Sequence, residues 1–372
     1  MSAPRRPRAR VARSARFTRP LALLVACLAV VIPSRGDASP GLAGTRHLGL
    51  GGASRASARG TGAILVNPAN LGFTRQFEIE PAYQANIESN THGVGLLAMD
   101  SLLNERLALG LGYIATVGAP RVSYETEAGE TQQIQLSHTG HEVSLPIAVN
   151  VALGWLAFGV RPKFQYSALR FQDIADKRHD ARAEQTKFGL DLALTFSARQ
   201  WVNVAVIGQN VAGQMVPATT LDLAPYSFDL TTLNRSRISP VSDYARTLSH
   251  GLAVFPTRKP TFSINFDGVY DFTSYRIGFE TAEKYTRKLF AGGVEYSIRD
   301  VMPLRVGGFW DSRGRGKTDD RGYIAAGVGY FRAAAKGAVG FNLGVGFSRQ
   351  ITGPSPETLL AVSLGILVNP SR

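Results

Sequence analysis

The sequence predicts an all-β fold, a transmembrane antiparallel β-barrel of about 14 strands with an N-terminal plug folded into its lumen. Three observations carry that expectation. The chain opens with a secretory signal, segment after segment alternates polar and apolar residues, and the connections between those segments are in turn short and long.

Residues 1–38 have the three parts of an export signal. Arg5, Arg6, Arg8, Arg10, Arg13, Arg16 and Arg19 form a basic start. Leu21 to Ile32 is apolar but falls short of the roughly 20 residues needed to span a bilayer as a helix. Gly36-Asp37-Ala38 offers a cleavage site. The only cysteine, Cys27, lies within the apolar stretch, where Leu24-Val25-Ala26-Cys27 also matches a lipoprotein processing box. The apolar run continues past it to Ile32, which favours cleavage after Ala38. The mature chain then has no cysteine, which excludes disulfides and thiolate metal sites.

The formal charge of +13 invites a nucleic-acid partner, and its distribution removes it. Residues 1–38 hold eight arginines against one acid, so the mature chain carries about +6 with no clustered basic footprint. Charged residues make up 19% of the chain, below the roughly 25% usual in soluble domains. A lipid-facing belt accounts for the deficit.

From Gln76 onward the alternation has the period of strands with two unlike faces. Phe77, Ile79, Pro81, Tyr83, Ala85 and Ile87 oppose Gln76, Glu78, Glu80, Gln84 and Asn86. Leu156, Phe158, Val160, Phe164 and Tyr166 oppose Arg161, Lys163, Gln165 and Ser167, and Phe188, Leu190, Leu192, Leu194 and Phe196 oppose Lys187, Asp191 and Thr195. Polar faces of this kind fit a wet lumen, and Glu78, Glu80, Arg161, Lys163, Asp267, Glu295 and Arg305 are the lumen-facing candidates. With Lys187 and Asp191 they form a possible charge ladder whose plain role is to tie the lumen walls together.

Strands are expected at 76–88, 92–101, 105–117, 137–151, 154–170, 182–198, 201–210, 246–256, 260–271, 287–298, 302–311, 321–331, 337–349 and 357–369. Short turns such as Leu102–Asn104 and Arg299–Val301 alternate with longer connections at 118–136, 171–181, 211–245, 272–286, 312–320 and 350–356. That is the rule for a barrel with periplasmic turns and outer loops. Residues 274–283 also resemble a strand, but a separate strand there breaks the even count, so they are read as an outer hairpin. The Pro- and Thr-rich insert 211–245 reads as a surface loop first and as a lid over the pore second. The domains are therefore a signal (1–38), a plug (39–75) and the barrel (76–372).

The plug segment holds Gly44-Thr45-Arg46-His47-Leu48-Gly49-Leu50-Gly51-Gly52-Ala53 and then Asn67-Pro68-Ala69-Asn70-Leu71. Its glycines permit tight packing, and Asn67-Pro68 starts a turn. The pattern G-x-R-x-L-G-x-G-G-A followed by N-P-A-x-L resembles the N-terminal hallmark of the FadL-like outer-membrane transporters and the related PorV-like proteins. Arg55 to Arg59 depart from it, since relatives often have acidic residues there. Asn210 after an apolar strand, Asp267 within a strand, Gly293-Val294-Glu295-Tyr296 and Leu304-Arg305-Val306-Gly307-Gly308-Phe309 resemble motifs of the PorV-like branch. The C-terminus departs, ending without the aromatic that closes many such barrels.

The resemblance implies a location in the cell outer membrane, among its lipids, and passive uptake of a hydrophobic ligand such as a long-chain fatty acid. Gly51, Gly52, Asn67, Pro68 and Ala69 would belong to the plug and its gating. The PorV-like alternative implies a secreted-protein cargo that is shuttled or anchored. No catalytic residues, metal ligands or cofactor are expected. His138 and His141, three apart, fall on opposite faces of a strand, and Ser249-His250 is no hydrolase pair by adjacency alone. Gly49-Leu50-Gly51 lacks the rest of a dinucleotide fingerprint.

Overall fold

The computed structural model describes residues 42–368 except 103, 120, 126–130, 173–179, 199, 213–220, 223–236, 239–245, 273–285, 313–319, 333–338 and 354–356. Residues 1–38, read as an export signal, the 274–283 segment and most of the 211–245 insert lie outside the described residues.

The wall is built from β1 (Phe77–Asn86), β2 (Thr91–Asp100), β3 (Leu107–Gly118), β5 (Thr131–Ser144) with β6 (Ile147–Ala152), β7 (Leu156–Gln172), β8 (Asp180–Ser197) and β9 (Val202–Ala212). It continues through β12 (Thr247–Val254), β13 (Phe262–Asp271), β14 (Arg287–Ile298), β15 (Met302–Ser312), β16 (Arg321–Arg332), β17 (Val339–Thr352) and β18 (Thr358–Val368). Each strand pairs antiparallel with its neighbours, and β1 pairs with β18 from Phe77↔Val368 to Asn86↔Leu359, closing the sheet. A short strand β4 (Arg121–Glu125) lies on β5 beyond the wall, and β10 (Leu221–Asp222) pairs with β11 (Arg237–Ile238) separately.

β5 and β6 count as one wall strand. The expected single strand at 137–151 is interrupted at Leu145-Pro146, yet both pieces keep one register: Ser144 faces Lys163 and Ile147 faces Val160. Pro146 has no N–H to give to a ladder, and its carbonyl still accepts from Gly110 N at 2.8 Å. The wall therefore has fourteen strands. The expected connection 118–136 is partly strand as well, because β5 begins at Thr131 and pairs with β4.

The two faces are the reverse of a soluble β-protein. On β7 and β8 the outward Phe158, Phe164, Phe188, Leu192, Leu194 and Phe196 are exposed, while the inward Arg161, Lys163, Lys187, Asp191 and Thr195 are buried. An apolar surface of that extent is unsuited to water, and a closed sheet is one of two structures that satisfy every backbone group in lipid. Trp155, tilted against Phe196, and Trp201, under the Arg258 guanidinium at 4.1 Å, mark the short-turn end with aromatic rings of the kind that sit at a membrane interface.

Inside the wall lies the N-terminal segment. It forms helix α1 (Thr45–Gly49), helix α2 (Gly62–Val66) and a 3₁₀ turn (Pro68–Phe73). α1 touches β15, β16, β17 and β18, whereas α2 and the 3₁₀ turn touch β3, β6, β7 and β8. One short segment meets opposite walls because it fills the space between them.

Outward Leu192 stands five residues from the short-turn end of β8, about 13 Å up a lipid belt some 25 Å tall. Leu192→Arg is expected to cost about 2–4 kcal/mol there. The check is denaturant unfolding in liposomes followed on a gel, where the intact barrel migrates faster unheated than boiled. Heat-independent migration of the parent protein contradicts the barrel.

Candidate functional site

The plug is held by wall residues that the alternation turns inward. Glu295 on β14 accepts two bonds from Arg46, at 2.9 and 3.0 Å, and a third from Arg305 Nε at 2.6 Å. Asp267 on β13 accepts from Ser54 N and Arg55 N, both at 2.8 Å, and from Arg55 Nη1 at 3.2 Å. Glu78 on β1 accepts from Thr61 N at 3.0 Å, and its neighbour Glu80 from Thr61 Oγ1 at 2.9 Å. Asn342 bridges toward both glutamates from β17. On β7, Arg161 Nη1 donates to Ile64 O at 2.7 Å and Leu65 O at 3.1 Å, carbonyls in the last turn of α2.

The inward charges thus bind the plug more than they bind wall to wall. Of the seven lumen-facing candidates, Glu78, Glu80, Asp267, Glu295 and Arg161 hydrogen-bond to plug residues directly. Arg305 acts through Glu295 and Lys163 through Asp191, at 3.0 Å. All seven are buried. Burying such groups is costly unless each charge is paired and bonded, and breaking one buried pair costs about 3–5 kcal/mol. The plug supplies those partners, so unseating it exposes several charges at once. Arg55, the departure from the family pattern, is the partner of Asp267.

The N-P-A turn is built from its own side chains. Asn67 Oδ1 accepts from Ala69 N at 3.1 Å, capping the 3₁₀ turn with Pro68 at its first position. Asn67 Nδ2 donates to Arg55 O at 2.7 Å and to Thr195 Oγ1 on β8 at 2.9 Å. Asn70 Nδ2 reaches Ala58 O at 3.2 Å. Asn67, Pro68, Ala69 and Asn70 are all buried.

Between these polar ties, backbone packs on backbone. Gly51 and Gly52 have φ of 62° and 84°, a region side chains disfavour. A Cβ on Gly51 would stand 2.7 Å from Gly308 Cα, and one on Gly307 2.8 Å from Gly51 N. Across the lumen, a Cβ on Gly159 would stand 2.7 Å from Ala69 Cα. The wall is moulded to the plug at both sides by absent side chains. The sequence marks the plug's glycines, and Gly293 and Gly307 as motif residues, but not Gly159, and only the folded register shows that all three of these wall glycines meet the plug.

Among the described residues on the long-loop side of the plug, an apolar group interrupts a largely polar lumenal lining. Val269, Leu289 and Phe309 project inward from β13, β14 and β15, half-buried, and Phe309 stacks on buried Tyr323 of β16 with centroids 4.0 Å apart. Val269 faces Leu289 across the ladder, and Phe309 faces Tyr323. Phe309 adjoins Gly308, where Gly51 rests.

The other candidates do not converge. His138 is buried and bonds Ser167 Oγ at 3.0 Å, while His141 is on the outer face against Tyr113 and Tyr166. Ser249 is buried inside, and His250 stacks outside on Tyr270. Among the described residues, no three His, Cys, Asp or Glu gather as a metal-ligand group.

No family model matches the sequence, and no curated protein matches it. Solved structures do match in fold. The Ralstonia pickettii toluene transporter TbuX aligns over 89% of this chain and 98% of its own, with a TM-score of 0.61 and 14% identity. The Pseudomonas putida toluene transporter TodX aligns over 90% and 99%, with a TM-score of 0.56 and 13% identity. A Pseudomonas aeruginosa FadL homologue aligns over 91% and 99%, with a TM-score of 0.56 and 11% identity. The chain has the fold of the FadL-type outer-membrane barrels, which is what the resemblance in the N-terminal motif implies.

Two expectations test the seat of the plug. Gly159→Leu places a side chain in the space of Ala69, so amide exchange in 62–73 should rise by orders of magnitude while the barrel stays heat-modifiable. Unchanged protection would show that the close contact is not needed. His47 Nδ1 pairs with Ser54 Oγ at 2.7 Å, and burial, then Arg55 and Arg46, push its pKa from 6.5 down to about 3. The seated plug therefore refuses a proton that the released plug accepts below 6.5. The contribution of His47 to seating is full above pH 6.5 and is lost progressively as pH falls toward 3. His47→Gln should flatten that dependence, read as amide exchange in 45–58 against pH.

Proposed function

We propose that this protein is a passive channel of the cell outer membrane for hydrophobic small molecules, exported through residues 1–38 and gated by the plug. The apolar strip of Val269, Leu289, Phe309 and Tyr323 carries the reading. A lumen that conducted only ions or polar solutes has no use for an apolar landing beside its plug, whereas pockets for small apolar ligands are lined this way. The strip's position supports it further. It stands on the long-loop side, where a molecule from outside arrives, and it adjoins the Gly308–Gly51 contact that any opening must separate. The likeness in fold to toluene transporters agrees with this reading.

Gly51, Gly52, Asn67, Pro68 and Ala69 are then gate residues. Gly51 forms the sliding contact with β15, Gly52 lies beside Ala291 of β14, and the N-P-A turn is the fixed end bonded to Thr195. Opening takes no covalent chemistry. It requires the plug's hydrogen bonds to be exchanged for water or for alternative partners, at about 1.5–3 kcal/mol for each bond to a charged group.

The test is uptake of labelled toluene and oleate by proteoliposomes. The protein should pass at least one of them, and Leu289→Ser with Phe309→Ser should lower the rate about tenfold without loss of the folded barrel. Absence of uptake of either solute, with a secreted protein co-purifying on the outer loops, would overturn the channel in favour of a cargo carrier.

A further inference from the structure

One plug clamp differs from the rest in what holds it. Asp267 bonds the plug alone on its strand, while Glu295 and Glu78 are steadied by single side chains of regular wall strands, Arg305 and Asn342. Arg161 reaches α2 only with Nη1, because Nε donates to Asp191 Oδ2 at 2.7 Å and Nη2 is also paired with that carboxylate. Asp191 is completely buried, and Lys163 bonds it as well. Its Oδ1 further accepts from Asn210 N at 2.8 Å.

That last bond depends on an irregularity of β9. Leu190 pairs with Ala212 but Leu192 with Gly208, so β9 carries two extra residues opposite Asp191. Asn210 sits in this bulge with φ of 52°, in the left-handed region that asparagine tolerates and β-branched residues do not. The bulge turns a backbone N–H out of the ladder and onto a lumenal carboxylate. Bulges commonly re-aim a group in this way. β9 ends at Ala212, two residues further on, at the long-loop end of the wall.

We propose that Asn210, Asp191 and Arg161 form a relay from the loop end of β9 to the plug, with Asp191 the positioning residue that keeps Arg161 on the α2 carbonyls. When the bulge straightens, Asp191 loses a donor, the guanidinium loses its fixed plane, and Nη1 leaves Ile64 O and Leu65 O. The N-P-A side of the plug is then released, while α1 stays bound to Glu295. The relay rests on the channel reading for its purpose but not for its detection.

The test labels single cysteines in the purified full barrel with a maleimide, after Cys27→Ala. Leu65→Cys reports the Arg161 clamp, and Ser57→Cys reports the Arg46 side. Asn210→Val and Asp191→Asn should each raise labelling at 65 at least tenfold and leave 57 unchanged. Asn210→Gly, which keeps the left-handed bulge, should match the parent. Equal labelling at 65 in the Asn210→Val and parent barrels, both heat-modifiable, overturns the relay, as does a parallel rise at 57. If Asp191→Asn does not fold, the Val and Gly pair decides alone. A relay that passes while toluene and oleate both fail to cross would sink the channel reading and leave the relay standing.

Discussion

A strand in lipid has no water to bond its backbone, so every N–H and C=O of the wall must find a partner in the protein. This chain meets that constraint by pairing β1 with β18. Closure removes the edges, and it also fixes which residues can meet inside. Period two sends apolar side chains to lipid and polar ones to the lumen. Fourteen polar faces converging on one axis cannot all bond each other, and the plug is the element that satisfies them.

The plug in turn is small and mostly loop, with two helices of five residues each. Helices that short are not stable by themselves in water. Their order comes from the wall: carboxylates meet backbone N–H groups at Ser54, Arg55 and Thr61, and Arg161 meets carbonyls at Ile64 and Leu65. Glycines on both sides let main chain approach main chain. The arrangement is tight yet polar, and polar contacts can be traded for water in a way that a hydrophobic core cannot.

Much of this is legible in the sequence. Strand limits follow from alternation and turns, and Glu78, Arg161, Asp267 and Glu295 stand out as inward charges because their neighbours are apolar at every second place. The plug announces itself by glycines and Asn67-Pro68, which fit neither strand nor long helix. Partners are another matter. That Asp267 takes Arg55 and Glu295 takes Arg46 depends on contacts over 200 residues apart in sequence. Asp191 belongs to the charge ladder on periodicity, but its place between Arg161, Lys163 and Asn210 depends on a bulge that no pattern of residue types reveals. The apolar strip is similarly hidden, since Val269, Leu289 and Phe309 look like interruptions of polar faces until the ladder lines them up. The break at Pro146 is the converse case. Proline signals it plainly, yet the register runs through it unaltered.

On the proposed reading a seated plug, and not the width of the wall, keeps the barrel closed. Single-channel conductance in a planar bilayer tests it most directly, comparing the full chain with one lacking residues 42–75. A nearly silent full-length barrel and a large, steady conductance after the deletion are expected, with both proteins heat-modifiable. A full-length barrel that conducts as freely as the deleted one would contradict it.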